Sequence, residues 1–163
     1  NVASFSQQEL SFTQQHLLIL SGLYGILKPL DLMMPYRLEM GTKCQKIIGQ
    51  NLYDFWEEVI TNYVNKTAKE NGSEILLNLA SNEYFDVINV KDLTVKTVNI
   101  IFKENKDGKL KIIGILAKRA RGMMVNFLVK NQITKLTDVK SFKQDNYKFH
   151  AELSDENNLV FVR

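Results

Sequence analysis

Apolar positions along the chain change repeatedly between the spacing of a helix and that of a strand. A serine–glutamate capping box at 6–9 predicts the start of a first helix. Asn51, with Asp54 three positions later, predicts the start of a longer helix over 52–70. Trp56 lies in the middle of its apolar stripe and is expected to be a core residue. The stripe consists of Leu52, Phe55, Trp56, Val59, Ile60 and Tyr63.

Short apolar runs between turn residues are typical of strands, and they alternate with the helical segments. Asp107-Gly108 between two of these runs is a strong signal for a β-hairpin. The pattern predicts the α/β class, with a mixed sheet, antiparallel hairpins and flanking helices, in a single domain over 1–163. The predicted strands are 18–20, 35–41, 75–80, 95–103, 109–116, 147–149 and 159–162.

A basic cluster follows the predicted strand over 109–116. Lys118, Arg119 and Arg121 come next, and a helix is predicted to start at Met123. The N-terminus of a helix carries a partial positive charge and exposes unpaired N–H groups, so cations there require an anionic partner. Either a carboxylate of the protein or a bound anion such as a phosphate supplies it.

Charge is unevenly distributed in this chain of 163 residues, whose net charge is only +3. Residues 87–148 contain 14 basic and 5 acidic residues. Such a basic stretch suggests an anionic partner, although a solvated lysine-rich surface would look the same in sequence. The apolar runs are too short for a membrane span. Cys44, His16 and His150 lack ligand-like spacing, so neither a metal site nor a cofactor is predicted.

Carboxylates at turns and strand ends are the acid–base candidates. Asp31 lies in a predicted turn, and Glu83 follows a predicted strand at the start of a short helix. Because Lys118 also follows a strand, we expect Glu83 and Lys118 to share a cleft. Alternation over 35–41 places Arg37 and Glu39 on one side, where they pair with each other or line that cleft. The competing interpretation is that these carboxylates only neutralise the arginines.

Gly22 and Gly25 lie three positions apart in the segment Ser-Gly-Leu-Tyr-Gly. The Gly-Lys-Ser/Thr ending of a phosphate-binding loop is missing after them. We therefore expect packing or turn glycines, which let the backbone pass close to another element.

Six motifs resemble, in order, those of the YaaA family of bacterial peroxide stress proteins. They extend through nearly the whole chain, and several are five or more residues long. The motifs are LSGLYG at 20–25, KPLDLM at 28–33, PYRLEMG at 35–41, LYxFW at 52–56, NLASxEYF at 78–85 and AKxARG at 117–122.

The resemblance implies a YaaA-like α/β fold with a basic cleft, and a chain that covers the C-terminal two thirds of the family sequence. It also implies a DNA-binding protein of the bacterial cytoplasm that protects DNA and limits free iron during hydrogen peroxide stress. The expected partner is double-stranded or structured DNA, and the oligomeric state stays open. The helix-hairpin-helix-like element of the family would correspond to residues 123–131 and 137–142, although no Gly-x-Gly lies between them.

Three functions follow for the named residues, of which the least specific is a scaffold or iron-related regulator whose basic surface contacts another protein. In the first, the basic side chains contact DNA phosphates. In the second, an enzyme acts on a nucleic acid or nucleotide, with Glu83 or Asp31 as the acid or base. The phosphate-binding candidates are Lys118, Arg119, Arg121, Arg37 and Lys28.

Overall fold

Residues 4–163 of the computed structural model fall into two units, and the chain contributes several segments to each. Unit I comprises residues 4–12, Leu77–Leu79 and Thr97–Arg163, and unit II comprises Thr13–Leu76 and Ala80–Lys96. Residues 1–3 lie outside the described part of the chain. One domain over 1–163 stays a prediction.

The larger sheet confirms the predicted mixed α/β class. Its strands lie in the order β3-β4-β7-β6, and β5 pairs with β4 outside this path. β4 runs parallel to β7, whereas the β4–β5 and β6–β7 pairs are antiparallel. The strands are β3 (Ile75–Asn78), β4 (Lys96–Lys106), β5 (Lys109–Lys111), β6 (Lys148–Phe149) and β7 (Asn158–Val162).

The core of unit I forms on one face of β4 and β7. Side chains alternate along β4, so that Val98, Ile100 and Phe102 are buried. The Phe102 ring lies 5.9 Å from Phe142 and 5.6 Å from Phe161, in edge-to-face and tilted contacts. These contacts join the two parallel strands to the segment after the main helix, which fixes the inner side of unit I.

Helix α5 (Gly114–Lys130) is the main helix of unit I and corrects the predicted strand over 109–116. The strand ends at Lys111, and the following apolar residues begin the helix. A short apolar run is compatible with a buried strand or a buried helix face, and here the helical spacing decides. Its inward side consists of Ala117, Ala120, Met124 and Val129.

Two shorter helices contribute to unit I, and the first of them continues past Phe12 into the residues of unit II. Helix α1 (Gln7–His16) begins at the predicted capping box: Glu9 N–H donates to Ser6 Oγ, and Ser6 N–H donates to the Glu9 carboxylate. Helix α6 (Leu136–Val139) is only four residues long. The second member of the predicted two-helix element is therefore a single turn rather than a helix over 137–142.

Unit II is built around helix α3 (Leu52–Asn71), whose predicted ends are confirmed. Asn51 Oδ1 accepts from Asp54 N–H at 2.8 Å, and Gly72 closes the helix in the left-handed conformation. Phe55 and Val59 are exposed, which corrects the predicted stripe. The buried face of α3 includes Ile60 but neither of these two residues. The core consists of Met40, Cys44, Leu52, Ile60, Val64, Val87 and Ile88.

Four short elements surround α3 in unit II. Strands β1 (Ile19–Ser21) and β2 (Gly25–Leu27) form an antiparallel hairpin, which agrees with the predicted strand over 18–20. Helix α2 (Gln45–Ile48) precedes α3, and helix α4 (Asn82–Phe85) follows β3.

The β1–β2 hairpin packs on Trp56, which confirms the core role of this residue. Trp56 Nε1 donates to the Gly22 carbonyl at 3.0 Å. A Cβ on Gly25 would lie 2.7 Å from the indole ring, and one on Gly22 would lie 2.4 Å from the Leu38 carbonyl oxygen. Both are packing glycines, as predicted, because no side chain fits at either position.

The segment 35–41 belongs to no strand among the described residues, which corrects its predicted assignment. Its exposure nevertheless alternates: Tyr36, Leu38 and Met40 are covered, and Arg37 and Glu39 are exposed. The close contact between Leu38 and Gly22 holds this segment against the hairpin.

Candidate functional site

Helix α5 places the basic cluster on its outer side. Because Ala117 and Ala120 face the core, Lys118 and Arg119 are exposed, and Arg121 lies half-buried at the edge of the core. Lys118 and Arg121 are three residues apart, so they are neighbours on the helix surface. The three cations thus lie in the second and third turns of the helix, and not before its first turn.

No side chain caps the N-terminus of α5, and its first turn contains no acidic residue. The nearest cation is four residues beyond Gly114, or about 6 Å along the axis. The repulsion from the helix dipole is therefore weaker than predicted, since the effect fades within the first turn. The exposed N–H groups of this turn remain available to an anion.

Arg121 has the most unusual environment in this cluster. Burial lowers the pKa of its guanidinium group below the ordinary value. None of the ion pairs found among residues 4–163 includes Arg121, Lys118 or Arg119. A half-buried cation without a carboxylate partner is costly unless an anion approaches from outside.

Lys130, at the other end of α5, shows the opposite arrangement. Its ammonium group lies 2.9 Å from Glu9 Oε2 and donates to the Ser4 carbonyl at 2.8 Å. A hydrogen bond from the Ser6 backbone and the contact with Lys130 lower the pKa of Glu9. The lysine at the C-terminal end of the helix is thus neutralised within unit I, whereas the cations of the second and third turns are not.

Glu83 lies in unit II, in helix α4 directly after β3. Its Oε1 accepts from Gly41 N–H at 3.1 Å, and its carbonyl accepts from the Tyr53 hydroxyl at 2.9 Å. A Cβ on Gly41 would lie 3.1 Å from the same carboxylate oxygen. Gly41 thus allows the backbone to hold an exposed carboxylate in one position.

Two tyrosines border Glu83. Burial raises the pKa of Tyr84, and the charges of Tyr36, Glu83 and Glu39 add to this shift, against a hydrogen bond with the Met40 backbone. Burial also raises the pKa of Tyr53, with a further contribution from Glu83. Both phenols are therefore held in the neutral form beside a group of carboxylates.

A third tyrosine belongs to the same part of unit II. The Tyr36 hydroxyl lies 2.5 Å from Ser21 Oγ, and the Tyr36 ring is 5.5 Å from Tyr24 in an edge-to-face contact. The sequence-based reasoning did not single out these tyrosines. The signal was present, because three of the six quoted motifs each contain one of them, and a fourth contains Tyr24.

The other predicted residues of unit II have separate environments. Asp31 Oδ2 accepts from the Lys28 backbone N–H at 2.8 Å, which closes the predicted turn. Arg37 and Glu39 are exposed, and none of the ion pairs within residues 4–163 joins them. Glu83 belongs to unit II and Lys118 to unit I, so their common cleft stays a prediction.

Within residues 4–163, no group of three or more His, Cys, Asp or Glu residues could hold a metal ion. None of the helices in this part of the chain is sufficiently long and apolar to cross a membrane.

The sequence has close relatives of known family. A family profile described as peroxide stress protein YaaA matches residues 1–153. A UPF0246 protein from Saccharophagus degradans is 51% identical over 160 residues, which cover 98% of this chain and 62% of that protein. A UPF0246 protein from Legionella pneumophila strain Lens is 47% identical over 163 residues, which cover all of this chain and 63% of that protein. The chain thus spans slightly less than two thirds of the length of these relatives.

Proposed function

Because this chain belongs to the YaaA family of peroxide stress proteins, we propose that it binds DNA through the phosphate backbone during hydrogen peroxide stress. Binding takes place in the bacterial cytoplasm, on double-stranded or structured DNA. It protects the DNA from iron-driven damage and so contributes to limiting the harm from free iron. No metal ligand of this chain is required for that role.

The observation that carries the proposal is the half-buried Arg121, which has no carboxylate partner in the ion pairs among residues 4–163 and lies beside the exposed Lys118. Arginine suits phosphate because its planar guanidinium group donates two parallel hydrogen bonds and is weakly hydrated. Arg119 and the uncapped first turn of α5 extend the positive surface. Contacts of this kind hold the DNA backbone without reading base sequence, and they make affinity depend on salt.

We expect Lys118→Gln with Arg119→Gln to weaken duplex binding and to lower the slope of log K against log salt by about 2, because each lost phosphate contact removes about 0.9. Fluorescence anisotropy with a labelled duplex across a salt series measures both quantities. The matched control is Lys143→Gln with Lys148→Gln, which removes the same charge from exposed positions of unit I outside the candidate two-helix element. Equal losses of duplex affinity in both double variants would contradict a DNA-binding site on α5.

Arg121→Met separates anion binding from a structural role for Arg121. If the guanidinium group serves an external phosphate, methionine lowers DNA affinity while the urea midpoint of unfolding stays level or rises, since an unpaired buried charge is removed. A fall in that midpoint together with unchanged DNA affinity would assign Arg121 to the fold instead.

A second function is favoured by the anchoring of Glu83. A carboxylate held by Gly41 N–H beside the neutral phenols of Tyr53 and Tyr84 resembles an acid–base site more than a structural ion pair. On this view the protein is an enzyme acting on a nucleic acid or a nucleotide. Asp31 is the weaker acid–base candidate, because one of its oxygens closes a turn.

If Glu83 is the acid or base, we expect Glu83→Gln to lower turnover by about 10²–10⁴-fold while duplex affinity is unchanged. Glutamine retains an oxygen that can accept from Gly41 N–H, so the fold is preserved. The assay is mass spectrometry of nucleosides and of oligonucleotides with intact, oxidised or abasic sites after incubation. Glu74→Gln, the same replacement at an exposed position of unit II, is the control. Absence of turnover by the wild-type chain on every substrate would contradict the enzyme function.

A further inference from the structure

The β4–β5 hairpin presents three lysines on one face. In its register Lys106 is paired with Lys109, and Glu104 is paired with Lys111. Residues directly opposite each other, and residues two apart on one strand, point to the same side of a β-ribbon. Lys106, Lys109 and Lys111 therefore share a face with Glu104, and all three lysines are exposed.

This arrangement is unfavourable in the free protein. Lys106 and Lys109 are directly opposite, where like charges destabilise a strand pair. Glu104 does not neutralise them, because its carboxylate accepts from the Tyr147 hydroxyl and from Arg163 Nε within unit I. Asp107, in the turn, takes part in none of the ion pairs found among residues 4–163.

The hairpin is fixed at its base and free at its end. Asn105 N–H donates to the Arg163 carbonyl at 2.8 Å, and Arg163 N–H donates to the Lys103 carbonyl at 3.1 Å. Beyond this base, residues 105–111 are all exposed. The turn has the geometry favoured in two-residue hairpins, with φ of 53° at Asp107 and 77° at Gly108. The lysines are thus presented on a short regular ribbon and not on an unstructured loop.

We propose that this lysine face of the hairpin is a second phosphate-binding surface, which contacts the DNA backbone next to α5. The inference rests on the proposed DNA binding and adds a separate set of residues to it. Only Ile112 and Ile113 separate Lys111 from the first residue of α5, so both surfaces belong to one continuous stretch of unit I.

The spacing of the lysines favours a polymer over a single phosphate ion. Lys109 and Lys111 are about 6.8 Å apart along their strand, and Lys106 lies opposite Lys109, so the positive charge is spread over the length of the hairpin. Successive phosphates of a DNA strand form an extended row of charge that matches an extended row of lysines. Lysine acts as a flexible point charge, which suits contact with the backbone more than recognition of bases. The face carries no apolar side chain that would insert into a lipid surface.

The test compares two triple variants of the 163-residue chain. In the first, Lys106, Lys109 and Lys111 are replaced by glutamine, and in the control Lys91, Lys143 and Lys148 are replaced. Both lose the same charge from exposed positions, and the control residues lie outside the hairpin, α5 and the candidate two-helix element. We expect the hairpin variant to lower the slope of log K against log salt by about 2 to 3 and to raise the dissociation constant roughly tenfold or more in dilute salt. The control should retain at least most of the wild-type slope.

Melting temperature provides an independent measurement. Because the hairpin variant relieves repulsion between opposite lysines, it should melt no lower than the wild-type chain.

If the hairpin variant binds duplex DNA like the control while Lys118→Gln with Arg119→Gln loses binding, the inference fails and the proposed function stands. If no variant changes binding, or if wild-type chain does not bind DNA, both fail. Binding to anionic phospholipid vesicles that is lost only in the hairpin variant, with DNA binding unaffected, would also overturn the inference.

Discussion

Glu104→Ala is expected to lower the free energy of unfolding by about 3 kcal/mol, the largest effect at any charged position of unit I. Glu104 is buried and accepts hydrogen bonds from Tyr147 and Arg163. Alanine leaves the buried Tyr147 hydroxyl without its acceptor, and it opens a cavity behind the hairpin. The loss stays moderate because Arg163 retains its ion pair with Asp145. Urea unfolding followed by circular dichroism measures it.

Two variants separate the contributions to this loss. Glu104→Gln retains an acceptor for Tyr147 and should cost less than alanine, whereas Tyr147→Phe removes only the donor and should cost about 1 kcal/mol. Burial and the hydrogen bond to Glu104 raise the pKa of Tyr147 to about 12, so the phenol remains a donor throughout the neutral range. A Glu104→Ala chain as stable as wild type would show that this network contributes nothing to stability.

Gly22→Ala is expected to destabilise the protein by about 2–3 kcal/mol, as overpacking of a rigid site does. The added Cβ would lie 2.4 Å from the Leu38 carbonyl oxygen and 3.1 Å from its carbon. Both atoms belong to the backbone, so the contact is relieved only if the segment 35–41 moves. That segment ends at Gly41, whose backbone N–H donates a hydrogen bond to the Glu83 carboxylate. The midpoint of urea unfolding measures the effect.

Gly122→Ala is the matched control for this substitution. Gly122 lies in the interior of α5, and no atom lies within 4 Å of its missing Cβ. Alanine should therefore stabilise the protein by about 0.5–1 kcal/mol through helix propensity alone. Destabilisation by both substitutions to the same extent would indicate that the contact between Gly22 and Leu38 is not responsible.

Local signals predicted the ends of elements well. The capping box at the start of α1 and the Asn51–Asp54 cap of α3 both form as expected. The Asp107-Gly108 turn also lies where the dipeptide predicted it. These features depend on residues two to four positions apart, so the information is contained in a short stretch of chain.

The start of α5 shows where local signals fail. The residues from Ile112 to Leu116 alone suit a strand or a helix equally, and the helical spacing of the buried Ala117, Ala120 and Met124 beyond them selects the helix. This selection moved Lys118 and its neighbours from the helix end into its second and third turns. The electrostatic cost therefore lies less in repulsion by the helix dipole than in the half-buried Arg121, which forms no ion pair among residues 4–163.

The proposal that the anionic partner is DNA follows from the resemblance to a family and not from residue patterns. A basic stretch indicates an anionic partner, and it leaves open which one. Each tyrosine around Glu83 is by itself an ordinary, partly buried residue. Only the approach of Tyr53 and Tyr84 to one carboxylate makes them a candidate site.

By itself the sequence determined the α/β class, the caps, the hairpin turn and the concentration of positive charge in residues 87–148, because these depend on composition and on near neighbours. Tertiary structure decided which charges are paired. Lys130 forms an ion pair with Glu9, which is 121 positions away in the sequence. The Glu83 carboxylate accepts a hydrogen bond from the backbone of Gly41, which is 42 positions away. Neither Arg121 nor the hairpin lysines belong to any of the ion pairs found among residues 4–163. Pairing between distant residues follows from how elements pack, and packing is a property of the whole chain and not of any one segment.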